Sequence, residues 1–428
     1  MPIGGPAVAP SNRSWLGVAR ELTAGTALLP TNTIPQEARS FAPEDTPRFL
    51  PDEAIRGSLA LRYGNVLGPE DATFSFGGPA FLDTYGFLLD NIFGDLSTVG
   101  SSPANGTSLN GALAVGGTVA VLTGGTTTTY PNGGTVQIDS GGVSEVVILS
   151  QAWTGGTIAF TGDPLRFAHA NGATVTTVTS PFTHTFAMLN SALGYGGITG
   201  SQPPTHTLTD NTNLNFAGSP GTNTSGARAY PFACVSQFDL TLNSEQLVSA
   251  RFQGNSFLSL PATAAPTNTV STSLPVAAWQ ASVYIGGTAA GNQVTTIGEL
   301  AISVKRKLQV IWTLQGNANP AVIARGDLDI TGTLNFTDPT DETPLSYMLN
   351  NTQPLVYVVL DNGLTGASHL KVTFRCSQAS FTKAKPERGQ MLMAFANQWE
   401  SIATSADTGG SGGLGPGVFT LLNSTPTY

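Results

Sequence analysis

The clearest pattern along the chain is an alternation of apolar and polar residues in two nearby segments, 304–314 and 327–336. A period of two is typical of β-strands that bury one face and expose the other. The two segments therefore predict a long β-hairpin, and a turn centred near Pro320 would place Trp312 opposite Leu328. The polar face of this hairpin would carry Lys305, Lys307, Gln309, Asp327, Asp329 and Thr331.

Similar alternation elsewhere predicts that most of the chain is β-structure. Residues 54–78 contain two alternating segments and predict a hairpin that turns near Gly64 and Asn65. The segments from Tyr230 onward complete a set of roughly eight strands, which is enough for a sandwich or a barrel. We therefore expect an all-β fold.

One segment departs from this period and predicts a helix. Residues 79–93 carry apolar side chains at helical spacing, with Pro79 suited to the first helical position and Gly94 suited to the residue that ends a helix. The segment is too short to cross a membrane. Its apolar stripe should therefore pack against the sheets.

Changes in composition divide the chain into four parts. Residues 1–53 are rich in proline and predict an extended arm. Residues 100–180, called the insert below, carry almost no charge and predict a small inserted all-β domain. Residues 54–99 and 181–402 would form the main β-domain on either side of it. Residues 403–428 begin with a glycine-rich stretch and predict a C-terminal tail outside that domain.

Charge and cysteine content narrow the classes of function. The net charge is −9 and only 11% of residues are charged, whereas tight binding of nucleic acid needs Lys and Arg to neutralise phosphates. The first residues lack the basic and apolar regions of a secretory signal, and no apolar run could span a membrane. We therefore expect synthesis in the cytoplasm, no membrane partner, and buried thiols at Cys234 and Cys376.

No arrangement of residues predicts catalysis or a bound group. The four histidines have no metal-ligand spacing. The glycine motif at 410–415 has the letters of a dinucleotide-binding loop, but it does not join a predicted strand to a predicted helix. We therefore expect neither an enzyme nor a cofactor or metal site.

Several segments, in order along the chain, resemble the major tail tube protein of long-tailed bacteriophages. They include LGVARELTAGTALLPTNTIP, YGNVLGPEDATFSFGGPAFLDTYGFLLDNIFGD, RAYPFACVSQFDLTLN and ISVKRKLQVIWTLQG. The resemblance covers most of residues 15–100 and 181–402. The insert looks like the small β domain that some members of this family carry.

This resemblance implies a β-sandwich or barrel protomer that forms hexameric rings, which stack into a hollow tail tube in the virion. Double-stranded DNA would pass through the tube transiently and without specificity, and the tape measure protein and the tail terminator would be partners. The polar hairpin face could line the lumen, because a surface without excess cations would not trap phosphates. Phe41, Phe49 and Leu50 in the proline-rich arm would become ordered when rings stack.

Two other functions are compatible with the residues. Glycine- and threonine-rich segments and the tripeptide Arg325-Gly326-Asp327 would suit an adhesive surface protein, although the glycine equally suits a turn. A neck or capsid-stabilising protein of the same virion would also be symmetric and acidic.

Overall fold

The computed structural model describes residues 13–37, 40–57, 60–161, 165–190, 202–212, 226–337, 342–387 and 394–428. The helices among these residues are α1 (Gly86–Phe93) and α2 (Thr343–Leu349). The first strands are β1 (Trp15–Arg20), β2 (Asn32–Ile34), β3 (Glu44–Asp52), β4 (Gly64–Pro79), β5 (Gly94–Ser108), β6 (Val119–Val121), β7 (Thr135–Ile138), β8 (Glu145–Leu149), β9 (Thr157–Thr161), β10 (Thr174–Met188) and β11 (His206–Asn211). The remaining strands are β12 (Ala227–Asn243), β13 (Ser249–Ser256), β14 (Leu260–Pro261), β15 (Ala281–Ile285), β16 (Gln293–Val294), β17 (Ile297–Ile311), β18 (Val322–Phe336), β19 (Val356–Asp361), β20 (Lys371–Cys376), β21 (Ala379–Glu387), β22 (Ala394–Ser401) and β23 (Val418–Asn423). The predicted all-β fold with a packed helix is confirmed.

The first sheet has twelve strands, and the long strand β12 joins its two parts. The C-terminal half of β12 lies between β13 and β17, which gives the antiparallel order β3-β4-β13-β12-β17-β18-β22-β21. The N-terminal half pairs with β11 and β14, and β11 leads on to β1 and β2. The principal hairpin, β17 and β18, therefore lies inside the sheet, with strands on both sides.

The second sheet has eleven strands in the order β16-β15-β19-β20-β23-β10-β7-β8-β9-β6, and β5 pairs with β10. Its central strand β23 comes from residues 403–428, which were expected to lie outside the main domain. That expectation was wrong, because β23 pairs with β20 and β10 and buries Phe419 and Leu421.

The main core fills the space between the two sheets, and α1 lies in it with all of its residues buried. The helix is shorter than predicted. β4 continues to Pro79, which pairs with Ser249, so this proline ends a strand and does not begin a helix. Gly94 does end the helix, as predicted, because its φ of 85° lies in the left-handed region that glycine adopts without strain.

The insert has a hydrophobic core of its own. β6 to β9 pack with the distal parts of β5 and β10, and these two strands run on without a break into the main body. The strands enclose a separate buried cluster of Leu109, Ala120, Leu122, Tyr130, Val136, Ile138, Val147, Leu149, Ile158, Phe160, Leu165 and Val175. The boundaries of the domains stay a prediction.

The proline-rich N-terminal segment is built into the first sheet. β1 pairs with β11, and β3 pairs with β4. The hairpin predicted within residues 54–78 is therefore wrong, because the partner of β4 is the preceding β3. Glu21, just after β1, is buried and accepts hydrogen bonds from the Thr205 and Thr207 hydroxyls and the Phe232 amide. Burial raises the pKa of its carboxyl group despite these bonds.

The principal hairpin has the predicted faces but not the predicted pairing. Leu328 lies opposite Arg306, six positions before Trp312, and a bulge follows between Arg306 and Leu308. The turn is therefore centred nearer to residue 317 than to Pro320. A shift by an even number of residues changes each strand's partners but leaves its buried face unchanged.

Candidate functional site

The outward face of the first sheet is polar across its central strands. The register places outward side chains in rows that cross the strands almost at right angles. One row consists of Gln253, Gln237, Lys305 and Asp329; the next consists of Arg251, Asp239, Ser303, Thr331, Glu400 and Ser380; a third contains Ser249, Thr241, Ala301, Thr333, Gln398 and Lys383. We call this surface the polar face.

The alternate residues of the same strands face inward and are apolar. Phe238, Leu240, Ile302, Val304 and Ile330 are all buried in the main core. Each strand thus has one buried and one exposed side, which holds the polar residues at fixed positions on a packed sheet.

Hydrogen bonds connect the polar side chains across the strands. The Gln253 amide donates to Gln237 Oε1 at 2.7 Å, and the Gln237 amide donates to both carboxylate oxygens of Asp239 at 2.9 and 2.8 Å. Ser303 Oγ donates to the same carboxylate at 2.6 Å. These bonds satisfy much of the hydrogen-bonding capacity of the face before any partner binds.

A second group of bonds lies farther along the same strands. Glu299 accepts a bond from Asn243 Nδ2 at 2.9 Å through one oxygen and a bond from Asn335 Nδ2 at 3.0 Å through the other. The carboxylate thus connects β12, β17 and β18. The side chains that these hydrogen bonds hold in place are mainly amides and carboxylates, not cations.

Among the described side chains of β12, β13, β17, β18, β21 and β22, the charges on the polar face balance. The acidic residues there are Asp239, Glu299, Asp327, Asp329 and Glu400, and the basic residues are Arg251, Lys305, Lys307, Lys383 and Lys385. Opposite charges are interspersed, as where Lys305 pairs in register with Asp329. Such a surface has no concentration of cations that would hold a polyanion in one place.

The structure brings together the six polar residues predicted from the hairpin. Five of them are exposed and Thr331 is half-buried, opposite Ser303. The contributions of β12, β13, β21 and β22 were missed. The period-two signal is present in β12 and β13 as well, but local alternation does not show which strands become neighbours.

The hairpin of β3 and β4 carries exposed apolar side chains on both of its faces. Phe49 lies opposite Leu67, and Leu50 lies opposite Val66; these four side chains are 53–62% exposed. Successive residues of a strand point to opposite sides, so each face of the hairpin holds one of these pairs. Phe41, the third contact candidate, instead packs against the protein's own core, with its ring 6.0 Å from that of Phe76.

Comparison with known families decides what kind of protein carries these surfaces. The family described as phage tail tube protein matches residues 11–406, which is nearly the whole chain. The chain belongs to this family. It is a structural protein of the phage tail, and members of the family are normally not enzymes. Among curated proteins, the search found none that matches the chain.

In this tail tube protein, the arginine of the adhesion-like tripeptide has an internal role. Arg325 is only 4% exposed, and its guanidinium group donates to the carbonyl oxygens of Pro203 and Pro204. Burial lowers the pKa of this arginine. The side chain is therefore not presented to an external receptor, which removes the main observation in favour of an adhesive protein.

Arg306, from the same hairpin, connects the first sheet to α1. It faces inward, between the exposed Lys305 and Lys307, as the alternation predicts. Its Nη1 atom donates at 2.6 Å to the carbonyl oxygen of Ile92 in the last turn of α1. Burial lowers the pKa of Arg306 to about 9. A cation near the carbonyl end of a helix is favourable, so this contact stabilises the position of α1.

A buried ion pair joins the insert to the body of this tail tube protein. Arg166 of the insert donates to both carboxylate oxygens of Asp90 in α1, at 2.5 and 2.9 Å, and to the main-chain oxygen of Tyr428 at 2.5 Å. Asp90 is fully buried. Two parallel bonds from one guanidinium give this contact a defined geometry.

His169 lies next to that junction. Its ring nitrogens are 3.1 Å from Glu145 and 3.3 Å from Asp139, and Glu145 also accepts bonds from the amides of Arg166 and Phe167. Burial acts to lower the pKa of His169, but the hydrogen bonds and charges of the two carboxylates outweigh it and raise the pKa. His169 thus links Asp139 to Glu145, the carboxylate that accepts both amide hydrogen bonds from the segment that carries Arg166.

Among the described residues, no helix has the length and apolar character needed to cross a membrane. Cys234 and Cys376 are free and buried, as predicted. Burial raises the pKa values of their thiols to about 11 and about 12.

Proposed function

We propose that this tail tube protein assembles into hexameric rings, that the rings stack into a hollow tube, and that the polar face lines the lumen through which phage DNA enters the host cell. The observation that supports this proposal best is the polar face itself. It extends over the central strands of an antiparallel sheet, its amide and carboxylate groups bond to one another, and its charges balance. A polar face of this size is suited to a position in contact with water, such as the wall of a water-filled channel.

Physical chemistry accounts for why such a surface suits a DNA channel. Each fixed cation that neutralises a phosphate releases counterions and so strengthens binding. Where carboxylates are interspersed among the lysines, the net gain from that term is small. DNA would therefore pass the surface without being held, while the ordered side chains keep the wall hydrated.

The edges of the first sheet suit ring formation. β21 ends the sheet on one side, and on the other side β3 and the segment around Ala42 lie along β4, with mutual bonds between Ala42 and Ser75. Edge strands present unpaired backbone groups, and a closed ring of sheets would pair them. We propose contacts between neighbouring protomers at these edges, with Phe49 and Leu50 contributing to contacts between rings. In the virion, the tape measure protein and the tail terminator would be further partners, and synthesis would take place in the host cytoplasm.

Labelling of an engineered cysteine tests the lumen assignment. In Asp329→Cys, a bulky maleimide should react quickly with dissociated protein and slowly with assembled tubes, because the reagent cannot diffuse freely along a narrow channel. Thr128→Cys, at an exposed position of the insert, serves as the control and should react at the same rate in both states. The buried native thiols, with raised pKa values, should contribute little background.

The outcomes separate the functions considered. Equal labelling of Asp329→Cys in tubes and in dissociated protein would contradict the lumen assignment. Negative-stain images of purified protein should show tubes or rings with six-fold symmetry. Rings that never stack would favour a neck or capsid-stabilising protein, and monomers at all concentrations would contradict the proposal as a whole.

A further inference from the structure

The distal part of the β3–β4 hairpin cannot be covered by a single flat surface. Phe49 and Leu67 occupy one of its faces, and Leu50 and Val66 occupy the other. All four side chains are more than half exposed, and burying an exposed side chain of this size contributes about 1.5–3 kcal/mol. A partner that covers both faces must provide a cleft.

A second exposed apolar region lies at the opposite end of the same strand. β4 has 16 residues, and its last residue, Pro79, pairs with Ser249. At about 3.3 Å per residue, Pro79 is roughly 50 Å along the strand from Gly64 at the hairpin end. Next to Pro79 lies Leu247, which is 46% exposed, and beside it lies Trp279, which is 73% exposed.

These two side chains border adjoining clefts. The first cleft is lined by Phe76, Pro79 and Leu247. The second is lined by Trp279 together with the apolar residues Leu242, Val283, Val294, Ile297 and Leu300. A β-bridge between Leu247 and Ala277 joins the segments that form the two clefts. The region is thus concave. It presents two large exposed apolar side chains at the border of the polar face, with which it shares Ser249, Arg251 and Glu299.

The charges of the two ends are complementary. At the hairpin end, residues 48–63, Arg56 pairs with Asp52 and Arg62 pairs with Glu53, so the third arginine, Arg48, gives this end a net positive charge. The clefts carry Glu37 and Glu299, with Glu245 in the turn between their linings, against Arg251. A basic end therefore faces an acidic one when two copies are placed head to tail, which favours that orientation over a pairing of like ends.

We propose that the end of the β3–β4 hairpin inserts into the Leu247–Trp279 clefts of a second copy of this chain. The inference rests on the proposed tube and specifies which surfaces meet between successive rings. Because the inserting and receiving surfaces lie at opposite ends of one sheet, the contact is heterologous and leaves a free hairpin and a free cleft after every addition. Such a contact extends without limit along one axis, as a tube requires.

Substitutions on the receiving side test this inference. Trp279→Ser should raise the protein concentration at which tubes sediment by about tenfold or more, the change expected when roughly 1.4 kcal/mol of contact energy is lost. Val115→Ser removes an exposed apolar side chain of the insert, outside the segments that line the clefts, and should leave that concentration unchanged. Circular dichroism of each variant would show that the fold is retained.

Cross-linking tests the identity of the two surfaces. A flexible bis-maleimide should join Leu50→Cys protein to Trp279→Cys protein when the two are mixed, and should join neither variant to itself. A double variant with both cysteines should give a ladder of trimers and longer products. Self-cross-linking of Leu50→Cys alone, or formation of tubes by Trp279→Ser at the wild-type concentration, would overturn this inference without contradicting the proposed tube. Wild-type protein that forms no rings or tubes would instead overturn the proposed function and this contact with it.

Discussion

Substitution of Arg166 by methionine should release the insert from the body of the protein. The side chain is buried and makes two hydrogen bonds to Asp90, at 2.5 and 2.9 Å. Methionine keeps much of the aliphatic volume but donates no hydrogen bond. Asp90, fully buried in α1, would be left as an unpaired carboxylate.

The cost follows from the burial of that carboxylate. Removing one partner of a buried ion pair typically costs about 3–5 kcal/mol, because the remaining charge has lost both its partner and its water. Such a loss increases the equilibrium constant for local opening by roughly two to three and a half powers of ten. Lys371→Met is the matched control. Its partner Asp361 is 3.4 Å away and both side chains are partly exposed, so that pair should be worth about 1 kcal/mol or less.

Native-state hydrogen exchange measured by mass spectrometry would report the opening at each site. In Arg166→Met, amides of residues 145–169 and of α1 should exchange much faster than in the wild type, whereas Lys371→Met should change little. Adding Asp90→Asn to Arg166→Met should restore part of the protection, because the unpaired charge is gone. Equal, small effects of Arg166→Met and Lys371→Met would refute the reasoning.

Three further outcomes are expected. His169 has a raised pKa in the folded state, so its contribution to stability is complete below its ordinary pKa of 6.5 and is lost as pH rises through the folded pKa. The urea midpoint of the wild type should therefore fall over that pH range, whereas the midpoint of His169→Gln should stay level. Gly332→Ala should cost about 1–3 kcal/mol in urea unfolding, because the added Cβ would overlap the Trp399 ring, while Gly291→Ala, in open space, should cost little. Deleting residues 100–180 removes the arginine that pairs with Asp90, so the shortened protein should melt at a higher temperature with Asp90→Asn than without it; equal melting temperatures would contradict this.

Most features that were predicted correctly depend on residues that are close to one another in the sequence. Alternation in β17 and β18 showed which side chains are exposed, and it placed Arg306 inward although lysines flank it. Helical spacing located α1, and Gly94 marked its end. These features depend on the period of the backbone and on the conformations that glycine adopts, which a short segment already specifies.

The pairing between distant segments was decided only by the tertiary structure. Leu328 pairs with Arg306 and not with Trp312, which is a shift of six residues. Because six is an even number, each strand keeps the same buried face, so the alternation of apolar and polar residues does not reveal the shift. In the same way, no local signal showed that β4 would pair with β3, or that β23 would take the central position of the second sheet.

The candidate surfaces show the same difference between what the local sequence pattern specifies and what the tertiary structure decides. The sequence by itself identified the six polar residues of the principal hairpin as one exposed set, because they share a face of adjoining strands. Only the folded sheet added β12, β13, β21 and β22 to that face, placed Arg325 in the interior, and set the apolar hairpin and the Trp279 clefts at opposite ends of β4. The physical reason is that a strand's period specifies which way its side chains point, whereas its neighbours are chosen by the burial of the whole core.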